Sequence, residues 1–219
     1  AASDVYKRQL IPLPAYLIAG VPAHAAIATN KLSSCCGTSL ATWRFIRAGL
    51  VNFRLAVPAV IAAIIGSSIG ANLSLMVPEK IMIYILTGIL PIAVFLVLNK
   101  KLFNDSGTDE ITLDKRTYLT ASISAFIIGM YDGFYGPGTG TFLIIAFTVF
   151  AKLSIKTANA QAKVINLTTN ITSLCIFLFN GQVLFLLGII AAICNMAGGY
   201  IGAGLIMTNG AKIVKPSIL

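Results

Sequence analysis

The sequence predicts an all-α, polytopic membrane protein, and two observations carry that prediction. Hydrophobic residues make up 57% of the 219-residue chain and charged residues only 11%, whereas soluble domains carry about 25% charged residues. The apolar residues also form long runs, which favour membrane helices over the short alternating segments of a membrane barrel. This composition excludes a soluble enzyme, a disordered regulator and a disulfide scaffold.

The apolar runs predict the elements in chain order. They lie at 10–20, 25–47, 55–76, 81–98, 117–131, 139–151, 157–180 and 183–208. A long hydrophilic loop occupies 99–116. A crossing needs about 20 residues, so the pieces at 117–131 and 139–151 are each interpreted as half-length helices.

An internal repeat divides the chain into two halves. Sliding the sequence by 132 residues aligns 26–81 with 158–213 without a gap, and 17 of the 56 aligned positions are identical. Lys31 then aligns with Lys163. The halves are predicted to be 10–98 and 117–219, as expected for a duplicated transporter. The glycine pairs Gly66/Gly70 and Gly198/Gly202 are predicted to pack the two equivalent spans against each other.

Basic residues orient the two halves. Arg44 and Arg47 end the span at 25–47 and Arg54 follows it, whereas the equivalent turn around Gly181 carries no charge. Lysines and arginines at both ends of the 99–116 loop, and Lys152 and Lys156, mark further cytoplasmic segments under the positive-inside rule. The halves are then inverted if 117–151 enters and leaves on the cytoplasmic side. The alternative is one broken helix that crosses, which makes the repeats parallel.

The ends of the sequence are interpreted separately. Residues 4–9, DVYKRQ, resemble the translation of a sequencing-library adapter, so residues 1–9 are excluded from the fold as a tag is. A native basic N-terminus is the alternative. A final helix is predicted to begin near Ala211, shortly before Leu219. The first repeat is therefore expected to lack its start and the second its end.

A glycine- and proline-rich segment, 132–138, separates the two predicted half-helices. Glycine permits unusual backbone angles and proline removes a donor, so a helix cannot continue through it. The N–H groups at the start of the second half-helix form a candidate anion site. Its residues are Gly138, Thr139, Gly140 and Thr141. The alternative is a plain interhelical loop.

Two lysines within apolar spans are the other candidate anion ligands. Buried charge is expensive in a membrane and usually faces a cavity or a partner. Lys31 has Asn30 and Ser34 beside it, and Lys163 has Asn166 and Asn170. Cations with amide and hydroxyl donors suit a small anion. The alternative is that each lysine extends to the nearby membrane surface.

Asp132 is the one acid in the sequence after Asp114. Three roles are open: a proton carrier, a partner for Lys31 or Lys163, and a helix N-cap. His24 is predicted to start a helix, and the four cysteines are interpreted as packing residues. The sequence offers no catalytic triad, carboxylate pair or metal cluster, so neither an enzyme nor a cofactor is predicted.

These residues together resemble the TauE/SafE family of bacterial membrane proteins, the sulfite-exporter type. The resemblance runs from about Leu10 to the end of the chain, and it rests on 22–32 (PAHAAIATNKL), 129–141 (GMYDGFYGPGTGT), 158–170 and 210–216 (GAKIVKP). The family's glycine-rich break before the first Leu-Ile-x-x-Pro stretch is replaced here by residues 1–9.

The resemblance implies a secondary transporter, an exporter of small anions such as sulfite, sulfonates or related organic acids, working by alternating access in the bacterial inner membrane. The expected partners are the anion and membrane lipid, without nucleic acid; self-association is left open. A membrane-embedded accessory or assembly subunit without transport of its own is the alternative function.

Overall fold

The computed structural model describes residues 12–98 and 114–197, and these residues form helices without a strand. The helices are α1 (Pro12–Ile18), α2 (Ala23–Arg47), α3 (Phe53–Met76), α4 (Glu79–Leu98), α5 (Lys115–Phe134), α6 (Thr139–Val149), α7 (Ile155–Phe179) and α8 (Phe185–Ala197). The all-α prediction is confirmed for the described part of the chain. The first nine residues and the Gly198/Gly202 pair lie outside it.

Side-chain oxygens of the residues just before three of these helices act as N-caps. Asn52, Asp114 and Ser154 accept backbone N–H groups at the starts of α3, α5 and α7. Hydrogen bonds from the hydroxyl and the backbone N–H of Thr117 hold the pKa of the Asp114 carboxyl below its usual value. These caps satisfy N–H groups that have no partner within the helix.

The 132-residue shift of the sequence also relates the helix ends. Helices α2 and α7 both have 25 residues, and each begins and ends 132 residues from the other. Gly49 and Gly181, which follow them, have the same backbone angle, φ +67°. Helices α3 and α8 then start at the equivalent residues Phe53 and Phe185.

Helices α2 and α7 pack antiparallel. A contact between them has an equivalent contact in which the two halves exchange roles. Phe45 and Ala160 share one buried cluster, and the equivalent pair, Ala28 and Phe177, shares another. The residues that precede α8 and α3 show the same exchange of roles. The Leu184 N–H donates to Thr29 Oγ1 (3.1 Å), and Gln161, the equivalent of Thr29, donates to the backbone of Asn52 (3.0 Å). Each of these contacts thus has its counterpart in the other half.

Helices α3 and α5 run parallel and in close contact. A Cβ atom at Gly66 or Gly70 would overlap the backbone of Phe126 or Met130, and one at Gly133 would overlap the backbone of Ser67. The prediction that Gly66 and Gly70 face the equivalent span was wrong. Small residues on both surfaces let these two backbones approach, and α5 supplies them at Gly129 and Gly133.

Helix α6 folds back along α5, so the chain returns to the end of the bundle where α5 begins. The Tyr131 and Phe142 rings lie 5.3 Å apart near the turn. At the other end, one apolar cavity is lined by α5 and α6 residues, among them Thr120, Ser124, Ile127, Ala146 and Phe150. This hairpin carries the glycine- and proline-rich segment at its tip.

Two predicted boundaries of this hairpin were wrong. The piece at 117–131 is the 20-residue α5, which begins within the predicted loop because Asp114 caps it. The helix also continues through Gly133, which packs against α3, so the break is Tyr135–Gly138 rather than 132–138. Of the two pieces, α6 alone is half-length, with 11 residues.

The surface of the bundle is largely apolar, and polar and charged side chains are buried in its interior beside the apolar clusters. Large apolar side chains such as Ile61, Ile65, Phe179 and Leu186 are exposed, while Lys31 and Asp132 are buried. Soluble proteins rarely expose contiguous apolar surface on this scale. Helices α3 and α7 are also long and apolar enough to cross a membrane, by length and composition. This distribution is that of a membrane protein.

Candidate functional site

Among the described residues, the most buried charged groups form an ion pair between α2 and the last turn of α5. Lys31 Nζ lies 2.8 Å from Asp132 Oδ2, and the two side chains are 2% and 0% exposed. The same ammonium also donates to the backbone carbonyl of Asp132. Lys31 therefore does not extend to the membrane surface. Asp132 is its partner and lies within α5, so the N-cap interpretation was wrong.

Thr139, the first residue of α6, completes this network. Its hydroxyl oxygen lies 2.6 Å from both Asp132 Oδ1 and the carbonyl oxygen of Gly136. The hydroxyl has one proton, so it donates to one of these acceptors at a time. Because α6 starts here, the Asp132 carboxylate is the anion nearest its positive end.

Gly136 is required at the tip of the hairpin, a role that the sequence did not reveal. Its φ is +105°, which side chains other than glycine rarely adopt. A Cβ atom there would lie 2.9 Å from Lys31 Nζ and 3.3 Å from Asp132 Oδ1. The Tyr131 hydroxyl donates to the Pro137 carbonyl (2.7 Å) and holds the other side of the tip. Only the fold reveals these roles, because they depend on a lysine from another helix.

The predicted backbone donors of α6 are partly used within the turn. Gly138, with φ +87°, is the N-cap of α6. The N–H groups of Thr139 and Thr141 donate to the carbonyls of Gly136 (3.2 Å) and Gly138 (2.9 Å). Gly140 is buried between them. In this conformation the segment is a closed turn.

Three polar atoms of residues close in sequence to Lys31 or Thr139 are buried without a hydrogen-bond partner among the described residues. They are Asn30 Oδ1, Ser34 Oγ and Thr141 Oγ1. Asn30 precedes Lys31, Ser34 lies one turn further along α2, and Thr141 lies in the first turn of α6. Buried polar groups of this kind are usually satisfied by a ligand or water. Their presence marks this part of the interior as polar rather than as a sealed apolar core.

The second predicted cluster lies on one face of α7. Lys163, Asn166 and Asn170 are all buried. The Asn170 amide donates to the backbone oxygen (2.6 Å) and to Oδ1 (2.9 Å) of Asn166. These residues are equivalent to Lys31, Ser34 and Thr38 in the repeat, so the same helix face carries polar groups in both halves.

The two lysine backbones lie at different depths in the bundle. The Thr42 hydroxyl donates to the Lys163 carbonyl (3.1 Å), so Lys163 is level with Thr42. Thr42 lies 11 residues beyond Lys31 on α2, which corresponds to about 16 Å along a helix with a rise of about 1.5 Å per residue. The structure thus joins Lys31, Asp132 and Thr139 in one network and holds Lys163 with Asn166 and Asn170 in a second region.

Other predicted features have smaller roles. His24 lies in the first turn of α2, as predicted. The helix end beside it is held by the Glu79 carboxylate of α4, which accepts the Ala23 N–H (2.8 Å). Of the four free cysteines, Cys35 is buried, whereas Cys175 and Cys194 are exposed on the apolar surface. The packing interpretation therefore holds for Cys35 but not for those two.

An apolar helical exterior around buried charged and amide side chains is that of a membrane protein. The family profile described as Sulfite exporter TauE/SafE matches residues 10–219, and the chain belongs to this family.

Named relatives agree with this membership. The chain is 33% identical over 214 residues to a probable membrane transporter protein, ORF9, of Sinorhizobium sp, covering 96% of this chain and 79% of the relative. It is 32% identical to a probable membrane transporter protein of Haemophilus influenzae (96% and 81%) and 31% identical to YfcA of Escherichia coli, also named a probable membrane transporter protein (96% and 77%). No solved structure matches the chain significantly.

Proposed function

We propose that this protein is a secondary transporter that exports small anions, such as sulfite, sulfonates or related organic acids, by alternating access. The observation that carries the proposal is the buried Lys31 ammonium, together with buried unpartnered polar atoms of Asn30 and Ser34 on the same helix and of Thr141 in the first turn of α6. A cation is kept in an apolar bundle at high cost, and such residues mark ion and substrate pathways. Family membership supports transport, and the description of the family supports sulfite-type anions.

The proposed substrate pathway uses both halves of the repeat. Lys163, Asn166 and Asn170 bind the anion on the side of one end of the bundle, and Lys31 with the start of α6 binds it on the side of the opposite end. Gly138, Thr139, Gly140 and Thr141 complete the second position once the turn opens. The antiparallel packing of α2 and α7 supports an inverted repeat, the architecture in which one half rocks against the other.

Basic residues support a cytoplasmic location for one end of the bundle. Helices α3 and α5 start at the same end, and α6 returns to it, so Arg54, Arg116 and Lys152 lie together there. The positive-inside rule assigns that end, including the 99–116 loop, to the cytoplasm of a bacterial inner membrane.

The direct test is anion efflux from proteoliposomes loaded with sulfite, sulfate, thiosulfate or acetate. We expect the wild-type protein to release at least one of these faster than empty liposomes do. Lys31→Ala and Lys163→Ala should abolish release, whereas Lys80→Ala, which removes an exposed lysine at the start of α4, should not. Wild-type flux in both site variants would refute the site. Absence of flux of every anion would refute transport and favour the accessory-subunit alternative.

A further inference from the structure

The Lys31–Asp132 pair has no net charge, and this neutrality constrains how an anion can bind. Both side chains are almost fully buried, and Lys31 holds two oxygens of Asp132, one of the carboxylate and one of the backbone. An anion that joined the pair unchanged would leave one uncompensated negative charge in the bundle. Uncompensated charge in a membrane interior is costly. Anion binding at Lys31 therefore requires the charge of Asp132 to change.

We propose that the substrate anion and the Asp132 carboxylate alternate as the partner of Lys31, and that Asp132 takes up one proton for each anion bound. This inference rests on the proposed transport function and specifies its coupling. In the empty state the ammonium pairs with the carboxylate. In the loaded state it pairs with the anion, and Asp132 is a neutral acid that received its proton from the aqueous side facing the site. Both states are neutral, so one proton accompanies each monovalent anion.

The position of Thr139 suits both states of Asp132. With Asp132 ionised, the Thr139 hydroxyl donates to Oδ1 at 2.6 Å. With Asp132 protonated, the carboxyl can donate to the Thr139 oxygen, and the hydroxyl then donates to Gly136, also at 2.6 Å. A buried polar group is costly when it has no partner. Thr139 and Gly136 provide the neutral acid with a partner without any change of helix position.

Few other ionisable groups face Asp132. Helix α6 has none, and α3, packed against α5, has none beyond Arg54 at its start. The ionisable side chains of the adjoining segments are Lys31, Cys35 and Cys36 of α2, Tyr131 of α5 with Tyr135 just after it, and Cys175 and Lys163 of α7. Asp132 is the one acid among them. The proton that balances the anion is therefore assigned to Asp132.

The test uses the full-length protein in proteoliposomes and Asp132→Asn, which keeps the shape of the side chain and is permanently neutral. The probe is methanesulfonate, which stays ionised near neutral pH. Exchange of labelled internal for unlabelled external anion needs only the loaded carrier and should continue. Net efflux requires the empty carrier to reorient with an unpaired Lys31, and it should fall about tenfold or more. Asp114→Asn, the same chemical change at the exposed start of α5, is the matched control and should alter neither rate.

A second measurement on the wild-type protein does not depend on the variant. A pH-sensitive dye inside the liposomes should report alkalinisation in step with methanesulfonate efflux, and clamping the membrane potential should not change the rate. Net efflux by Asp132→Asn at the wild-type rate, or wild-type efflux without proton movement, would overturn the coupling while leaving transport intact. If the wild-type protein moves none of the tested anions, the proposed function itself fails.

Discussion

Helices α2 and α7 occupy equivalent positions in the two halves, yet their polar centres differ. Each has 25 residues and a lysine as its ninth residue. Lys31 pairs with an acid from the hairpin formed by α5 and α6, whereas the polar neighbours of Lys163 on its own helix face are the amides Asn166 and Asn170. Duplication has preserved the helix geometry, while the polar residues that share a helix face with each lysine differ. We infer that Lys31 serves both anion binding and coupling, and that Lys163 serves anion binding.

The largest expected effect is a difference in stability between variants of the two lysines. Lys31→Ala leaves the Asp132 carboxylate buried without its cation, which should cost about 3–5 kcal/mol of unfolding free energy. Lys163→Ala leaves the Lys31–Asp132 pair intact and should cost less. Thermal unfolding of both variants in detergent measures the difference. Equal losses in the two variants would contradict the distinction.

The next effect concerns the glycines with positive φ. Gly136→Ala adds a Cβ beside Lys31 Nζ as well as strain at φ +105°, so it should lower stability by more than the roughly 1–2 kcal/mol of left-handed strain alone. Gly49→Ala and Gly181→Ala meet open space at the same φ, and we expect equal, strain-only losses. Unequal losses at Gly49 and Gly181 would argue that the two turns are not equivalent.

The smallest expected effect is on stability, and it distinguishes the N-cap of α5 from the N-cap of α7. The pKa of Asp114 is lowered in the folded protein, so its stabilising contribution is present above the pKa of free aspartate, about 3.9. It is lost as the pH falls through the lower folded value. Asp114→Ala should therefore lower the unfolding midpoint at pH 7 and have less effect in acid. Ser154→Ala, at the cap of α7, should act equally at both pH values. A pH-independent effect of Asp114→Ala would contradict this origin of its stabilisation.

Much of the fold could be predicted because membrane helices are long apolar runs and because a 132-residue shift aligns the halves. The contacts within the site were harder to predict from the sequence. Lys31 and Asp132 lie 101 residues apart, and their pairing depends on how deep α5 extends before it breaks. The sequence placed that break three residues too early, because Gly133 supports close helix packing rather than a turn. The partner of Gly66 and Gly70 was missed for the same reason.

Efflux by the double variant Lys31→Ala/Asp132→Ala is the most direct test of the central claim that Lys31 holds the transported anion. Removing both charges leaves no unpaired charge inside, so this protein should fold and insert more stably than Lys31→Ala alone. We expect a folded protein in proteoliposomes with no anion efflux. Efflux at the wild-type rate from that folded protein would contradict it.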